Sequence, residues 1–101
     1  MSEHPLATLQ KLDPELIAHV QEIDPLIYGD GALPRKFKLL VAMAFDAAAG
    51  AEGGVRSLAN AALAAGATQG EIAETLRVAY HLTGVGTLYT ASRGLRGVVE
   101  E

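Results

Sequence analysis

A small set of side chains in this sequence carries groups suited to proton transfer. Asp46 is the one charged residue between Lys38 and Glu52, in an otherwise apolar segment. A carboxylate buried in such a segment needs a partner, or it is held for acid–base chemistry. We therefore identify Asp46 as a candidate general base. The alternative is a structural ion pair of Asp46 with Lys38 or Arg56.

A histidine, a glycine pair and an arginine complete the candidate site. His81 is the only histidine in the predicted core region, since His4 and His19 lie in the N-terminal part, and histidine changes charge near neutral pH. Gly53-Gly54 at a helix start exposes N–H groups that can hold a small anion, and Arg56 can bind a carboxylate in bidentate fashion. The sequence thus predicts catalytic roles for Asp46 and His81, and substrate-binding roles for Gly54 and Arg56. The alternatives are a solvated or interface histidine, and glycines that only permit close helix packing.

Composition and charge exclude several classes of protein. The net charge is −4 and the charges are interspersed, whereas nucleic-acid binding needs clustered Lys and Arg. There is no cysteine, so the chain has no disulfide, thiolate nucleophile or thiolate metal site. No helical His-x-x-x-His or Glu-x-x-His spacing occurs, and we expect neither a metal nor a cofactor.

Membrane insertion and export are also not expected. The longest apolar run, residues 39–51, is interrupted by Asp46 and is shorter than the roughly 20 residues of a membrane span. Residues 1–5 lack the basic and apolar regions of a signal peptide. The sequence therefore predicts a cytoplasmic protein, with residues 1–101 forming a single helical domain.

The apolar spacing is helical throughout and predicts an all-α fold of about five main helices. The first helix begins at Asp13-Pro14-Glu15, a cap residue followed by proline, and runs to about Ile23. A short turn then starts at Asp24-Pro25 and ends at Tyr28. The remaining helices are predicted to run from Pro34 to Gly50, from Gly54 to Ala65, from the capping box Thr68–Glu71 to Thr83, and from Val85 to Val99.

Two helices have more apolar surface than one small chain can cover. The second predicted helix is apolar on almost every face, and the fifth carries a seam of Val85, Leu88, Ser92, Leu95 and Val99. Large exposed apolar surfaces mark interfaces, and closed symmetry is usual for identical subunits. We expect a homotrimer or a homohexamer.

The order of these elements resembles a known family. Gly50-Ala51-Glu52-Gly53-Gly54 precedes an Ala-rich helix, a Gly66-Ala67-Thr68 turn and Glu71-Ile72. This arrangement, with the helix entry at residues 33–40 and the break at Gly84-Val85-Gly86, is similar to the alkylhydroperoxidase D-like / carboxymuconolactone decarboxylase family. The resemblance covers residues 33–95. It implies a compact helical domain, assembly into trimers or hexamers, and a site near a subunit interface.

The resemblance also shows what this sequence lacks. Redox members read Gly-Cys-x-x-Cys-x-x-x-His, whereas Ala51, Gly54 and Leu58 stand at those positions here. The relay glutamate falls at Leu39 or next to Lys38. Any family label of peroxiredoxin activity is therefore unsupported by these residues, since no side chain can form a sulfenic acid.

The decarboxylase branch is matched only in part. Its helix histidine is replaced by Leu58, and its Gly-x-Pro motif is represented by Gly84-Val85-Gly86 without the proline. Two functions follow. The first is a non-thiol enzyme or binder of a small organic acid or lactone at a subunit-interface pocket. The second is a catalytically silent oligomeric protein with a structural or interaction role.

Overall fold

The computed structural model describes residues 6–99, and within that range it is helical without a strand. The six helices there are α1 (Ala7–Leu12), α2 (Pro14–Tyr28), α3 (Arg35–Ala48), α4 (Glu52–Ala64), α5 (Gln69–Thr83) and α6 (Gly86–Leu95). The predicted all-α fold is confirmed, with the short helix α1 added before Asp13. Residues 1–5, on which the signal-peptide argument rests, lie outside the described residues.

Helix α3 is the centre of the domain because it is apolar on most of its circumference. It contacts α2, α4, α5 and α6, and it buries Leu39, Leu40, Met43 and Ala47. Met43 and Val55 of α4 are completely buried. Full burial of such a side chain contributes about 1.5–3 kcal/mol to folding, so the α3–α4 contact anchors the core.

Helix α2 corrects one predicted boundary. Its start is as expected, since Asp13 accepts a hydrogen bond of 3.1 Å from the backbone N–H of Leu16. The predicted break at Asp24-Pro25 is wrong, because the helix continues through Pro25 to Tyr28. A proline removes one backbone donor from a helix without forbidding its continuation, and Gly29 N–H closes the last turn on the Pro25 carbonyl at 2.9 Å.

Two glycines end the central helices as predicted. Gly50 follows α3 with a φ of 80°, and Gly66 follows α4 with a φ of 101°. Glycine adopts this left-handed conformation without steric cost, whereas other residues rarely do. Helix α4 begins at Glu52, two residues before the predicted start, so Gly53 and Gly54 both lie in its first turn.

The predicted seam on the last helix is only partly correct. Helix α6 ends at Leu95, so Val99 lies beyond it. Leu95 and Val99 pack against the core of their own chain. Val85 and Leu88 remain exposed. The seam does not form one continuous surface for a partner, because its C-terminal half is already covered.

The start of α5 is fixed by a capping box, as predicted. The Thr68 hydroxyl accepts from Glu71 N–H at 3.0 Å, and the Glu71 carboxylate accepts from Thr68 N–H at 2.9 Å. The Lys36 ammonium of α3 also contacts this carboxylate at 3.1 Å. The Thr68 N–H, followed by Lys36, holds the pKa of Glu71 below its ordinary value. One carboxylate thus caps α5 and links it to α3.

This arrangement predicts a dependence of stability on pH. Because the folded pKa of Glu71 is lowered, its carboxylate stabilises the fold fully above the ordinary value of 4.5, and this contribution is lost as the pH falls through the folded pKa. Glu71→Gln keeps a capping side chain but removes the charge. In thermal unfolding, the melting temperature of the variant should be lower than that of the parent at neutral pH. In acid the two melting temperatures should be equal. Glu74→Gln is the control, and a pH-independent difference for Glu71→Gln would contradict the assignment.

Candidate functional site

The C-terminal end of α3 meets the first turn of α4 at Asp46 and Gly54. The half-buried Asp46 side chain lies directly against the Cα of Gly54. A Cβ built on Gly54 would overlap the Asp46 carboxylate, with Cγ at 2.7 Å. Only glycine leaves room for this approach. The structure thus brings together two of the four residues that the sequence singled out.

The expected ion pair of Asp46 is wrong. Lys38 Nζ donates to the Gly29 carbonyl at 2.7 Å, and Arg56 Nη1 donates to the Arg96 carbonyl at 2.6 Å. Lys38 lies eight residues before Asp46, roughly 12 Å away along the helix axis, which puts it out of reach. Among the described residues, the Asp46 carboxylate has no hydrogen bond or ion pair. It is available to a ligand.

Backbone donors lie beside this carboxylate. The N-cap of α4 is Ala51, which has no side-chain acceptor, and the first turn of an α-helix leaves its N–H groups without partners inside the helix. In the described part of the chain, no acceptor contacts the N–H groups of Glu52, Gly53 and Gly54. The positive end of the helix also favours a negative charge nearby. The site therefore pairs an acceptor, Asp46, with donors from α4.

Arg56 performs a different task from the one expected of it. Its guanidinium donates to the carbonyls of Arg93 and Arg96 at 3.3 Å and 2.6 Å, at the C-terminal end of α6. One turn earlier, the Glu52 carboxylate accepts from Arg93 Nε at 2.7 Å. Cations at a helix C-terminus satisfy its free carbonyls and complement its dipole. Arg56 and Glu52 thus hold the first turn of α4 against the end of α6.

We expect Arg56→Ala to lower the free energy of unfolding by about 1 kcal/mol, because it removes two charge-assisted hydrogen bonds at a partly exposed position. Urea denaturation followed by circular dichroism measures the change. Arg77→Ala is the matched control, since Arg77 is exposed and makes no hydrogen bond or ion pair among residues 6–99. Equal stability of the two variants would contradict a structural role for Arg56.

His81 lies apart from Asp46 in the same chain. It is exposed in the last turn of α5, and that helix packs on the side of α3 that carries Val41 and Phe45. Asp46 projects about 100–140° around α3 from these two residues, toward α4. The described residues contain no hydrogen bond between the two side chains. An acid–base pair of Asp46 and His81 therefore does not form within one chain.

One surface feature that the sequence analysis missed is an apolar groove between α3 and α5. It measures about 390 Å³. Helix α3 supplies Val41, Ala44, Phe45 and Ala48, and helix α5 supplies Thr75, Val78, Ala79, Leu82 and Thr83. We call it the α3–α5 groove. The sequence did contain an indication of this groove. Once each helix is assigned an inward face, further apolar residues remain on its other faces.

The described residues offer neither a metal-binding cluster nor a membrane span. No group of three or more His, Asp or Glu side chains within residues 6–99 is arranged to hold a metal ion. Over the same span, none of the helices combines the length and the hydrophobicity that crossing a membrane requires.

Comparisons with known proteins agree with the fold. The model of the carboxymuconolactone decarboxylase family matches residues 14–96. Among solved structures, the chain is similar to an apo carboxymuconolactone decarboxylase family protein from Legionella pneumophila, with 32% sequence identity and a TM-score of 0.82. The superposition covers 90% of this chain and 81% of the other. No curated protein matches the chain.

Proposed function

This chain belongs to the carboxymuconolactone decarboxylase family, and from that premise we propose that it is a cysteine-independent member that acts on a small organic acid or lactone. The ligand binds at Asp46 and Gly54, in a pocket completed by a second subunit. Thiol peroxidase chemistry is no part of this proposal, because the sequence has no cysteine.

The observation that carries the proposal is the free carboxylate of Asp46 beside the first turn of α4. A carbonyl or carboxylate oxygen of the ligand accepts hydrogen bonds from the N–H groups of Gly53 and Gly54. The Asp46 carboxylate then accepts a proton from the ligand or from a water molecule. Donors directed at a developing negative charge, together with a nearby base, are the elements of acid–base catalysis.

The other two candidate residues keep roles in this proposal. Arg56 holds α4 in position through its contacts with α6, so it acts on the site by orienting Gly54. His81 is the second acid–base group and comes from a neighbouring subunit, since on its own chain it projects away from Asp46. The proposal therefore includes a homotrimer or a homohexamer, and it keeps the cytoplasmic location that the sequence predicts.

The test is binding of small carboxylic acids and lactones, measured by isothermal titration calorimetry with the protein and its Asp46→Asn variant. We expect one or more of these compounds to bind, and the variant to bind at least tenfold more weakly because it loses a charged hydrogen-bond partner. Glu74→Gln, which changes an exposed carboxylate on α5, should bind normally. Equal affinity of Asp46→Asn and the parent would refute the proposed site.

A catalytically silent oligomeric protein is the second candidate, and two observations favour it. Glu52 and Arg56, at the position of the redox motif, are both engaged with α6, and the chain exposes extensive apolar surface. If no acid or lactone binds while the assembly persists, this second function is the correct one.

A further inference from the structure

Helix α2 has an apolar stripe that its own chain leaves uncovered. Leu16, Val20, Ile23 and Ile27 recur at intervals of three and four residues and therefore lie on one face of the helix. Their exposure ranges from 45% at Val20 to 51% at Ile23. The single buried residue of α2, Ile17, projects about 100° away from Leu16. We call these four residues the α2 stripe.

The α3–α5 groove is a concave surface of the same apolar character. Its rim carries Phe45, which is 73% exposed, and Leu82, which is 76% exposed. No charged side chain lines it. Large exposed apolar patches are unusual on monomers and mark interaction sites.

The stripe and the groove of one chain adjoin each other but do not cover each other. At the end of α2, Ile27 and Leu33 line a second cleft together with Val41 and Phe45, which also line the α3–α5 groove. The stripe and the rim of the groove nevertheless both remain exposed. Each surface needs an occupant from outside the chain.

The total surface area indicates how much of the chain needs covering. The accessible area is 6913 Å², whereas a compact monomer of this mass exposes roughly 5,400 Å². The radius of gyration is 14.2 Å, against about 13 Å for a compact chain of this length. The excess of roughly 1,500 Å² equals two standard interface faces of about 800 Å² each. A chain that contributes one stripe and one groove to two neighbours has the two faces that this area requires.

We propose that the α2 stripe of one copy packs into the α3–α5 groove of a second copy, and that this contact repeats from copy to copy until a ring closes. The inference rests on the oligomeric assembly proposed above and specifies its interface. A stripe–groove contact that passes from each copy to the next is heterologous, and heterologous contacts that close produce cyclic rings, whereas two copies that exchange the contact reciprocally would form a two-fold dimer. Helix packing of an apolar stripe into a groove between two helices is a common mode of recognition.

The cysteine-free sequence allows a direct test by disulfide crosslinking. Two double variants, Ile23→Cys with Leu82→Cys and Val20→Cys with Leu82→Cys, cover about one turn of register. Mild oxidation should link subunits covalently in at least one of them, on gels run without reductant. The three single-cysteine variants should remain uncrosslinked, because a heterologous contact does not bring identical residues together. Efficient crosslinking of Leu82→Cys alone would instead indicate a contact between two grooves and would overturn the proposal.

The particle mass in solution shows whether the proposed interface is wrong or whether the chain does not assemble at all. Val20→Glu and Phe45→Glu change exposed residues, so each should fold with a normal circular dichroism spectrum and elute as a monomer in light scattering. Asn60→Glu, on the exposed face of α4, is the control and should remain assembled. If the parent chain is itself a monomer, the assembly and this interface both fail. If the parent is an oligomer that survives both variants, only this interface is refuted, and a lipid or small apolar ligand in the groove can then be sought by mass spectrometry.

Discussion

Replacing Gly94 with valine is expected to destabilise the fold by about 3 kcal/mol. Gly94 is buried where α6 crosses α4, and a Cβ there would lie 2.8 Å from Val55 Cβ and 2.9 Å from the Glu52 carbonyl oxygen. Val55 is completely buried and the carbonyl belongs to the backbone, so neither can move cheaply. For a domain of this size, the loss lowers the melting temperature by roughly 12–24 °C.

Two other substitutions serve as references for the stability loss expected of Gly94→Val. Gly94→Ala introduces the Cβ alone and should cost less than Gly94→Val. Gly86→Ala, in the same helix, should be neutral or slightly stabilising, because no atom lies within 4 Å of the added methyl group. Thermal unfolding by circular dichroism compares the three variants. Similar melting temperatures for Gly94→Val and Gly86→Ala would show that α4 and α6 do not pack closely at this point.

Most of the fold could be predicted from the sequence because it depends on local signals. Capping by Asp13 and Thr68, and termination by Gly50 and Gly66, act within a few residues of the chain. The predictions failed where tertiary packing overrides a local rule. Pro25 predicts a helix break, yet α2 continues past it to Tyr28, which packs partly against the core.

The site was harder to predict, because its geometry depends on contacts between distant residues. Asp46 and Gly54 were both named from the sequence, but their contact follows from the short connection between α3 and α4. The position of Arg56 could not be read locally, because its acceptors lie forty residues on, at the end of α6. The α3–α5 groove appears only when the two helices are placed side by side, since neither has an unusual sequence on its own.

Helix α4 carries two adjacent glycines whose surroundings differ completely, and this difference supplies the second large prediction. A methyl group on Gly53 would meet no atom within 4 Å, whereas one on Gly54 would overlap the Asp46 carboxylate. Gly53→Ala should therefore stabilise the chain by up to about 1 kcal/mol through helix propensity. Gly54→Ala should destabilise it by about 1–2 kcal/mol, because the carboxylate must rotate away from the start of α4.

A double-mutant cycle separates this steric conflict from other effects. Asp46→Ala in the Gly54→Ala background should restore stability, with a coupling energy of about 1–2 kcal/mol. Asp46→Asn alone preserves the shape and should cost only about 0.3–1 kcal/mol, from the lost interaction with the helix dipole. Ligand affinity should depend on whether the Asp46 carboxylate is present beside the start of α4, and not on the stability of the fold. Both Gly54→Ala and the rescued double variant should therefore bind the acid or lactone poorly. Gly53→Ala should bind it normally. If the double variant regained affinity together with stability, Asp46 would be a packing residue, and the proposed role of its carboxylate in ligand binding would be refuted.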